Sequence, residues 1–144
     1  MSAAFSARGM RFEDRSLLLP YMQHAGYLQV NACCDVMLDT LHWSGGNTSL
    51  DAIASGLPLV TLPGTLMRGR QSAGMLAMLG IEELVARDAA SYVETAVAIA
   101  RDRARRDALS QRIKAARGAL FDRDEPIRAL EDFLERAIQE SRGS

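Results

Sequence analysis

Short apolar runs alternate with helix-like segments over the first part of the chain. Four runs predict buried strands, at residues 16–20, 35–39, 57–62 and 83–86. Helices are predicted between them, at residues 21–34, 47–56 and 65–79. Strands that alternate with helices form a parallel sheet covered on both faces. The pattern therefore predicts an α/β domain, with a doubly wound, Rossmann-like parallel sheet and flanking helices.

The rest of the chain has helical spacing only. Helices are predicted at residues 88–101, 104–117 and 124–141. Asp88 suits the N-cap of the first, and Pro126 is tolerated in the first turn of the last. Three parts are expected from this pattern. They are a polar, poorly ordered remnant of a preceding helix and turn at 1–15, an α/β core at 16–102, and C-terminal helices at 103–144.

Bulk properties exclude several classes of protein. The 144 residues are enough for one compact domain, and the net charge of −1 offers no footprint for nucleic acid. No apolar run has the length of a signal peptide or a membrane span, so we expect no membrane association and a cytoplasmic protein. Cys33 and Cys34 are adjacent and lack a metal-binding pattern around them, so they are expected to be buried free thiols.

A glycine-rich turn follows the second predicted strand and leads into a helix. In open α/β sheets, ligands bind beyond the carboxyl ends of the strands, which is where this turn lies. Glycines let the backbone approach a ligand closely, and free N–H groups at a helix N-terminus favour an anion such as a diphosphate. The residues that would form this site are Gly45, Gly46, Asn47, Thr48 and Ser49.

Asp51 lies one turn further along the same helix, where its carboxylate could accept hydrogen bonds from the hydroxyls of a ribose. On local pattern alone, a simple turn and helix cap explain these residues equally well. The segment matches neither the dinucleotide fingerprint nor the P-loop. Trp43 either lines a sugar pocket or anchors the loop, and Arg70 either neutralises a diphosphate or forms a salt bridge.

A family resemblance favours the binding interpretation. The run from Cys34 to Gly64 contains Leu-Asp-Thr, Gly-Gly-Asn-Thr-Ser and Gly-Leu-Pro-Leu-Val-Thr in order. It resembles the nucleotide-binding core of the O-linked N-acetylglucosamine transferase and SPINDLY family. The similarity continues from about Leu17 to Ala137, so it covers nearly the whole chain.

The resemblance implies the C-terminal lobe of a GT-B glycosyltransferase, in which the 16–102 core holds a nucleotide-sugar donor. It places Gly46, Asn47 and Thr48 at the diphosphate and Asp51 at the ribose. It places His24 and Tyr27 beside the base and phosphates, where animal enzymes have lysine and histidine. The identity of the donor's nucleobase is therefore left open. The donor is expected to be UDP-N-acetylglucosamine or another nucleotide-diphosphate sugar, with uridine-linked and guanosine-linked sugars both open, and neither a metal nor a cofactor is expected.

The family also implies what this chain lacks. Its members carry an N-terminal lobe with the acceptor site and the catalytic base, so no catalytic residue is identified here and the chain alone is expected to be inactive. The first strand and helix of the lobe are expected to be missing, which would expose a sheet edge and favour self-association. The full-length protein is expected to be an inverting transferase acting on Ser and Thr of proteins. The alternative is a non-catalytic nucleotide-binding or dimerising module.

Overall fold

The computed structural model describes residues 2–142. Seven α-helices and two short strands are present in that range. In chain order they are α1 Ser2–Ser6, α2 His24–Cys33, β1 Met37–Leu38, α3 Asn47–Ser55, β2 Leu59–Val60, α4 Gln71–Met78, α5 Ala89–Arg101, α6 Arg103–Ala116 and α7 Glu125–Arg142. Single 3₁₀ turns occupy Met67–Gly69, Glu82–Leu84 and Arg117–Ala119. Across residues 2–142, no helix has the length and apolar character needed to cross a membrane.

The sheet is parallel, as predicted, but smaller than expected. Strand β1 pairs with β2 in the register Met37 to Leu59 and Leu38 to Val60. One further parallel bridge, between Thr61 and Val85, extends it. The chain is therefore α/β but mostly helical.

Two predicted strands were wrong. Residues 16–20 are not in a strand, and Leu17 and Leu18 are 82% and 76% exposed. An apolar run becomes a strand only when a neighbouring strand accepts its backbone hydrogen bonds, and within residues 2–142 this run has none. The run at 83–86 instead contains the end of a 3₁₀ turn and contributes the single bridge at Val85.

The core lies between the sheet and helices α3 to α6. Its largest fully buried apolar side chains are Ile53, Leu59, Val60, Leu76, Ile81, Leu84, Ile99 and Ile113. Helix α6, in the C-terminal helices expected at 103–144, contributes Leu109 and Ile113 to this same core. Residues 1–15, expected to be a poorly ordered remnant, contain helix α1, and Phe5 packs edge-on against Phe12.

Helix boundaries follow the predicted capping signals. Gly56 ends α3 at φ +76°, a left-handed conformation that glycine adopts without strain. The Asp88 carboxylate caps α5 by accepting the Ser91 N–H at 2.7 Å. Helix α7 has its apolar side chains half exposed, namely Ile127, Leu130, Phe133, Leu134 and Ile138.

The two cysteines were expected to be buried, and that was wrong. Cys33 ends α2 and Cys34 follows it, and both are exposed free thiols. Both lie where α2 ends, and neither side chain reaches the core beneath the sheet.

Candidate functional site

A buried carboxylate organises the loop that follows β1. Asp39 is 5% exposed, and its Oδ1 accepts the N–H groups of Thr40 at 3.0 Å and Gly45 at 2.8 Å. Its Oδ2 accepts the hydroxyls of Ser44 and Thr61, both at 2.7 Å. Because these donors come from both ends of the loop and from the end of β2, they fix the course of the glycine-rich turn.

Helix α5 adds a further link to the same residue. The hydroxyl of Tyr92 donates to the backbone carbonyl of Asp39 at 2.8 Å. Burial raises the pKa of Tyr92, and the nearby negative charge of Asp39 adds to the effect. The phenol therefore stays protonated and keeps its hydrogen bond over a wide pH range.

The turn itself requires glycine at position 45. A Cβ on Gly45 would lie 2.4 Å from Oγ of Ser49 and 2.6 Å from Oγ1 of Thr48. A side chain fits there only if these two hydroxyls move, and moving the Ser49 hydroxyl would disturb its 2.8 Å contact with Ser72. The backbone consequently passes directly against the N-terminus of α3.

Ser49 differs from the expected ligand donor. It is fully buried, its Oγ lies 2.8 Å from Oγ of Ser72, and its N–H donates to the Gly46 carbonyl at 3.1 Å. Both of its polar groups are thus engaged inside the protein, where they support the loop. The N–H groups of Asn47 and Thr48, in contrast, have no acceptor within residues 2–142.

Several of the predicted binding residues meet at one concavity. It has a volume of about 400 Å³ and a mostly apolar lining, and its wall is formed by Leu19, Pro20, Tyr21, Met22, Tyr27, Val30, Thr48 and Asp51. His24 lies at the start of α2 next to this wall, with its Nε2 2.9 Å from Oδ1 of Asp51. An aromatic ring, a carboxylate and the N-terminal turn of α3 therefore lie around one concavity.

Trp43 and Arg70 lie outside that concavity. Trp43 is 68% exposed, and the guanidinium of Arg68 lies over its ring at 5.8 Å from the centroid. Arg70 is exposed at the N-cap of α4 and forms no ion pair within the described range. Neither the packed anchor predicted for Trp43 nor the salt bridge considered for Arg70 is present.

Sequence reasoning missed the residues that hold the loop. These are Asp39, Ser44, Thr61, Ser72 and Tyr92. One signal was available, because Asp39 ends a predicted buried strand and an aspartate there needs donors. The sequence carried no such signal for Ser72 and Tyr92, since each reaches the loop from a later helix. Among residues 2–142, no group of three His, Cys, Asp or Glu side chains could hold a metal ion.

The chain is similar in sequence to known proteins of one family. The model of glycosyl transferase family 41 matches residues 4–128. The chain is 33% identical over 94 residues to a probable UDP-N-acetylglucosamine–peptide N-acetylglucosaminyltransferase SPINDLY of Solanum lycopersicum, covering 65% of this chain and 10% of that protein. It is 33% identical over 102 residues to a UDP-N-acetylglucosamine–peptide N-acetylglucosaminyltransferase of Caenorhabditis elegans, covering 69% and 9%.

The fold has a counterpart among solved structures. An O-GlcNAc transferase mutant of Thermobaculum terrenum superposes with a TM-score of 0.80 at 34% sequence identity. The match covers 94% of this chain and 26% of that chain. The present chain therefore spans about a tenth of the curated relatives and about a quarter of the solved one.

Proposed function

Because the chain belongs to glycosyl transferase family 41, we propose that it is the nucleotide-diphosphate-sugar-binding part of an inverting protein O-glycosyltransferase. The donor we propose is UDP-N-acetylglucosamine or a related nucleotide sugar, the substrate named for the C. elegans relative. The fold we propose is the Rossmann-like C-terminal lobe of a GT-B enzyme, and its proposed location is the cytoplasm.

One observation carries the proposal: the apolar concavity opens next to the free N–H groups of α3. Tyr27 supplies an aromatic ring for a base, and Asp51 supplies a carboxylate for ribose hydroxyls. The N–H groups of Asn47 and Thr48 have no acceptor within residues 2–142, and the first turn of α3 has no acidic residue. A diphosphate would satisfy these donors and the helix dipole together.

This arrangement suits departure of a nucleoside diphosphate. In an inverting transfer, an acceptor hydroxyl forms a bond to the anomeric carbon as the bond from that carbon to the diphosphate oxygen breaks. Negative charge then develops on the leaving diphosphate, and N–H groups already held in place stabilise it without reorganisation. The hydroxyl proton passes to a general base, a role that we assign to no residue of this chain. Donor binding, and no turnover, is what we expect from the chain alone.

Two structural features support the alternative, a non-catalytic module that self-associates. Strand β1 pairs only with β2 within residues 2–142, so its other edge lacks a neighbour. Helix α7 presents a half-exposed stripe of five large apolar side chains, Ile127, Leu130, Phe133, Leu134 and Ile138. Unpaired edges and apolar stripes of this kind favour self-association.

Calorimetric titration with uridine diphosphate and, in parallel, guanosine diphosphate tests the proposal. We expect one of the two to bind, and Asp51→Ala to weaken it roughly tenfold, the equivalent of one charge-assisted hydrogen bond. Asp107→Ala is the matched control, because Asp107 is an exposed carboxylate on α6, outside the concavity. A folded chain that binds neither nucleotide, or an Asp51→Ala variant that binds like the control, would refute the donor site.

A further inference from the structure

A second cavity lies at the opposite end of the sheet from the glycine-rich turn. Its wall includes Asp35, which precedes β1, and Pro58, which precedes β2, so it opens at the amino ends of both strands. The last residues of α2 and α3 and one side of α6 complete the wall of this amino-end cavity, which has a volume of about 440 Å³. Among the described residues it shares no wall residue with the apolar concavity.

A buried amide in the wall of the amino-end cavity lacks a hydrogen-bond partner. Asn31 is 5% exposed, and its Nδ2 has no acceptor within residues 2–142. A buried donor without an acceptor is unfavourable, and native proteins keep few of them. Because Asn31 forms part of the wall, an oxygen acceptor bound in the cavity is the group that would satisfy this donor.

The charged side chains of the wall have a positive excess. They are Arg103, Arg106 and Lys114 against Asp35 and Asp107. The Nε of Arg106 lies 3.0 Å from Oδ1 of Asp35, and the Nε of Arg103 lies 3.8 Å from Oδ2 of Asp107. Each carboxylate of the wall therefore already has a cation beside it.

Lys114 is the cation that remains. It forms no ion pair within residues 2–142, and its stem covers Gly56, where a Cβ would lie 2.4 Å from the lysine Cε. An unpaired cation and an unpaired amide donor both favour a carboxylate ligand. Helices α2 and α3 also end at this cavity, and the negative ends of their dipoles favour a positive group. A small ligand with both carboxylate and ammonium groups matches this wall.

Two free thiols belong to the same wall. Cys33 and Cys34 are both exposed, and the peptide between them is trans. Their Cα atoms are therefore about 3.8 Å apart, whereas a disulfide requires about 4.4–6.8 Å. The two thiols are not placed to form a disulfide with each other, and they stay available to an external disulfide.

Cys34 is the thiol on the side of the buried amide. Residues three positions apart lie on the same side of a helix, whereas residues two apart do not face each other. Cys34 is the C-cap of α2 and follows Asn31 by three positions, and its N–H donates to the Asn31 carbonyl at 3.3 Å. Cys33 follows Asn31 by two positions. A group attached to Cys34 is thus the better placed to reach Asn31.

We propose that the amino-end cavity is a modification site, at which Cys34 forms a mixed disulfide with an acidic low-molecular-weight thiol of the glutathione type. The Cys34 thiolate attacks one sulfur of the disulfide form of that compound, and the original S–S bond breaks as the new one forms. The other half leaves as a thiolate, which takes up the proton that Cys34 released. The small disulfide is the oxidant. This proposal does not rest on the proposed function.

Exchange rates with three disulfides test the proposal: glutathione disulfide, cystamine and hydroxyethyl disulfide. The protein is the Cys33→Ser variant, in which Cys34 is the remaining thiol. Intact-mass spectrometry measures each rate, which is divided by the rate of the same chain unfolded in urea. Glutathione disulfide should then exceed hydroxyethyl disulfide about threefold, the size of one exposed charge interaction. Cystamine, which has ammonium groups and no carboxylate, should show no such gain, and high salt should remove the gain.

Two variants test the groups that would hold the ligand. Lys114→Gln should remove the threefold gain, and Asn31→Ala should reduce it. The matched controls are Arg136→Gln on α7 and Gln29→Ala on α2, since both residues are exposed and lie outside the wall. Lys114 is itself exposed, so its variant keeps the proposal testable if Asn31→Ala does not fold.

Three results would overturn the proposal. They are equal corrected rates for the three disulfides, a gain that survives Lys114→Gln, and a gain that survives in Cys34→Ser with Cys33 as the remaining thiol. Each is independent of nucleotide titration, because the two cavities have different walls. Failure of the donor site would therefore leave this proposal standing, and the reverse also holds.

Discussion

The imidazole Nε2 of His24 lies 2.9 Å from the Oδ1 of Asp51, across a separation of 27 residues. This contact joins the first turn of α2 to α3 at the wall of the apolar concavity. It leaves the second carboxylate oxygen of Asp51 without a partner within residues 2–142. His24 therefore fixes the orientation in which Asp51 would present that oxygen to a ligand.

His24→Ala should weaken nucleotide diphosphate binding about threefold, because Asp51 loses the donor that orients it. Global stability should change little, since the pair is partly exposed and such pairs contribute little to stability. Calorimetry and thermal unfolding of the same samples measure the two effects. His42→Ala, in the exposed loop after β1, is the control. Equal affinities for the two variants would show that the contact does not serve binding.

Gly45→Ala should destabilise the protein by roughly 1–3 kcal/mol, the cost of overpacking a tight site. The added methyl would meet the hydroxyls of Thr48 and Ser49, and the Ser49 hydroxyl would have to leave its contact with Ser72. Urea unfolding measures the free-energy change. Gly74→Ala provides the contrast, because a Cβ there has no atom within 4 Å and lies inside α4, so it should stabilise by about 0.5–1 kcal/mol. A harmless Gly45→Ala would mean that the loop is not tightly packed.

Asp39→Ala should lower the free energy of unfolding by about 3 kcal/mol or more, because its four donors lose their acceptor. Asp39→Asn should lower the free energy of unfolding by less than Asp39→Ala does. Its amide oxygen can accept the two backbone N–H groups, while its NH₂ group faces the hydroxyls of Ser44 and Thr61, which can rotate to accept. Chemical denaturation of both variants checks the order. An Asn variant as unstable as the Ala variant would contradict this account of the loop.

Tyr92 makes stability fall at alkaline pH. Burial and the charge of Asp39 raise its pKa in the folded state above the usual 10.0. The unfolded chain therefore loses the phenol proton first, so the stabilisation is complete below about pH 10 and is lost as pH rises through the folded-state pKa. Tyr92→Phe should remove this part of the pH dependence and cost about 1 kcal/mol at neutral pH, through the lost hydrogen bond to Asp39.

The measurement is the free energy of unfolding of wild type and Tyr92→Phe between neutral pH and pH 11. Tyr21→Phe is the control, since Tyr21 is 93% exposed. Parallel curves for wild type and Tyr92→Phe would show that the phenol is not protected in the folded protein.

Phe133→Glu should reduce self-association if the stripe of α7 mediates it, because the substitution places a charge in the middle of the apolar side chains. Light scattering over a range of concentrations measures the mass of the particle. Gln139→Glu adds the same charge at an exposed position away from the stripe and should leave the mass unchanged. A wild-type protein that stays monomeric at high concentration would contradict self-association, and association that survives Phe133→Glu would point to the edge of β1.

Local signals predicted the helices well. The limits of α3 follow from the glycine-rich turn before Asn47 and from Gly56 after Ser55, and the start of α5 follows from Asp88, which caps it. Each of these depends on residues within a few positions of one another. Of the candidate site, the sequence predicted Tyr27, Thr48 and Asp51, which the structure places around one concavity. Their contact with a ligand stays a prediction.

Pairings between distant residues could not be predicted in the same way. The apolar run at 16–20 looked like a strand, yet a strand exists only with a neighbour, and none is present for it within residues 2–142. Ser72 and Thr61 reach the loop from 28 and 22 positions away from their partners. Polar side chains of this type occur all along the chain, so only the fold reveals which of them are buried together.

The exposed thiols at the end of α2 are suitable sites for attaching a fluorescent label. The helix begins at His24, beside the concavity, and ends at Cys33, about 15 Å away for ten residues of α-helix. A fluorophore attached to Cys33 in a Cys34→Ser background would lie away from a nucleotide in the concavity. It would nevertheless be attached to α2, the helix whose His24 contacts Asp51. A change in its emission on titration would follow occupancy of the concavity in real time, without modification of the ligand.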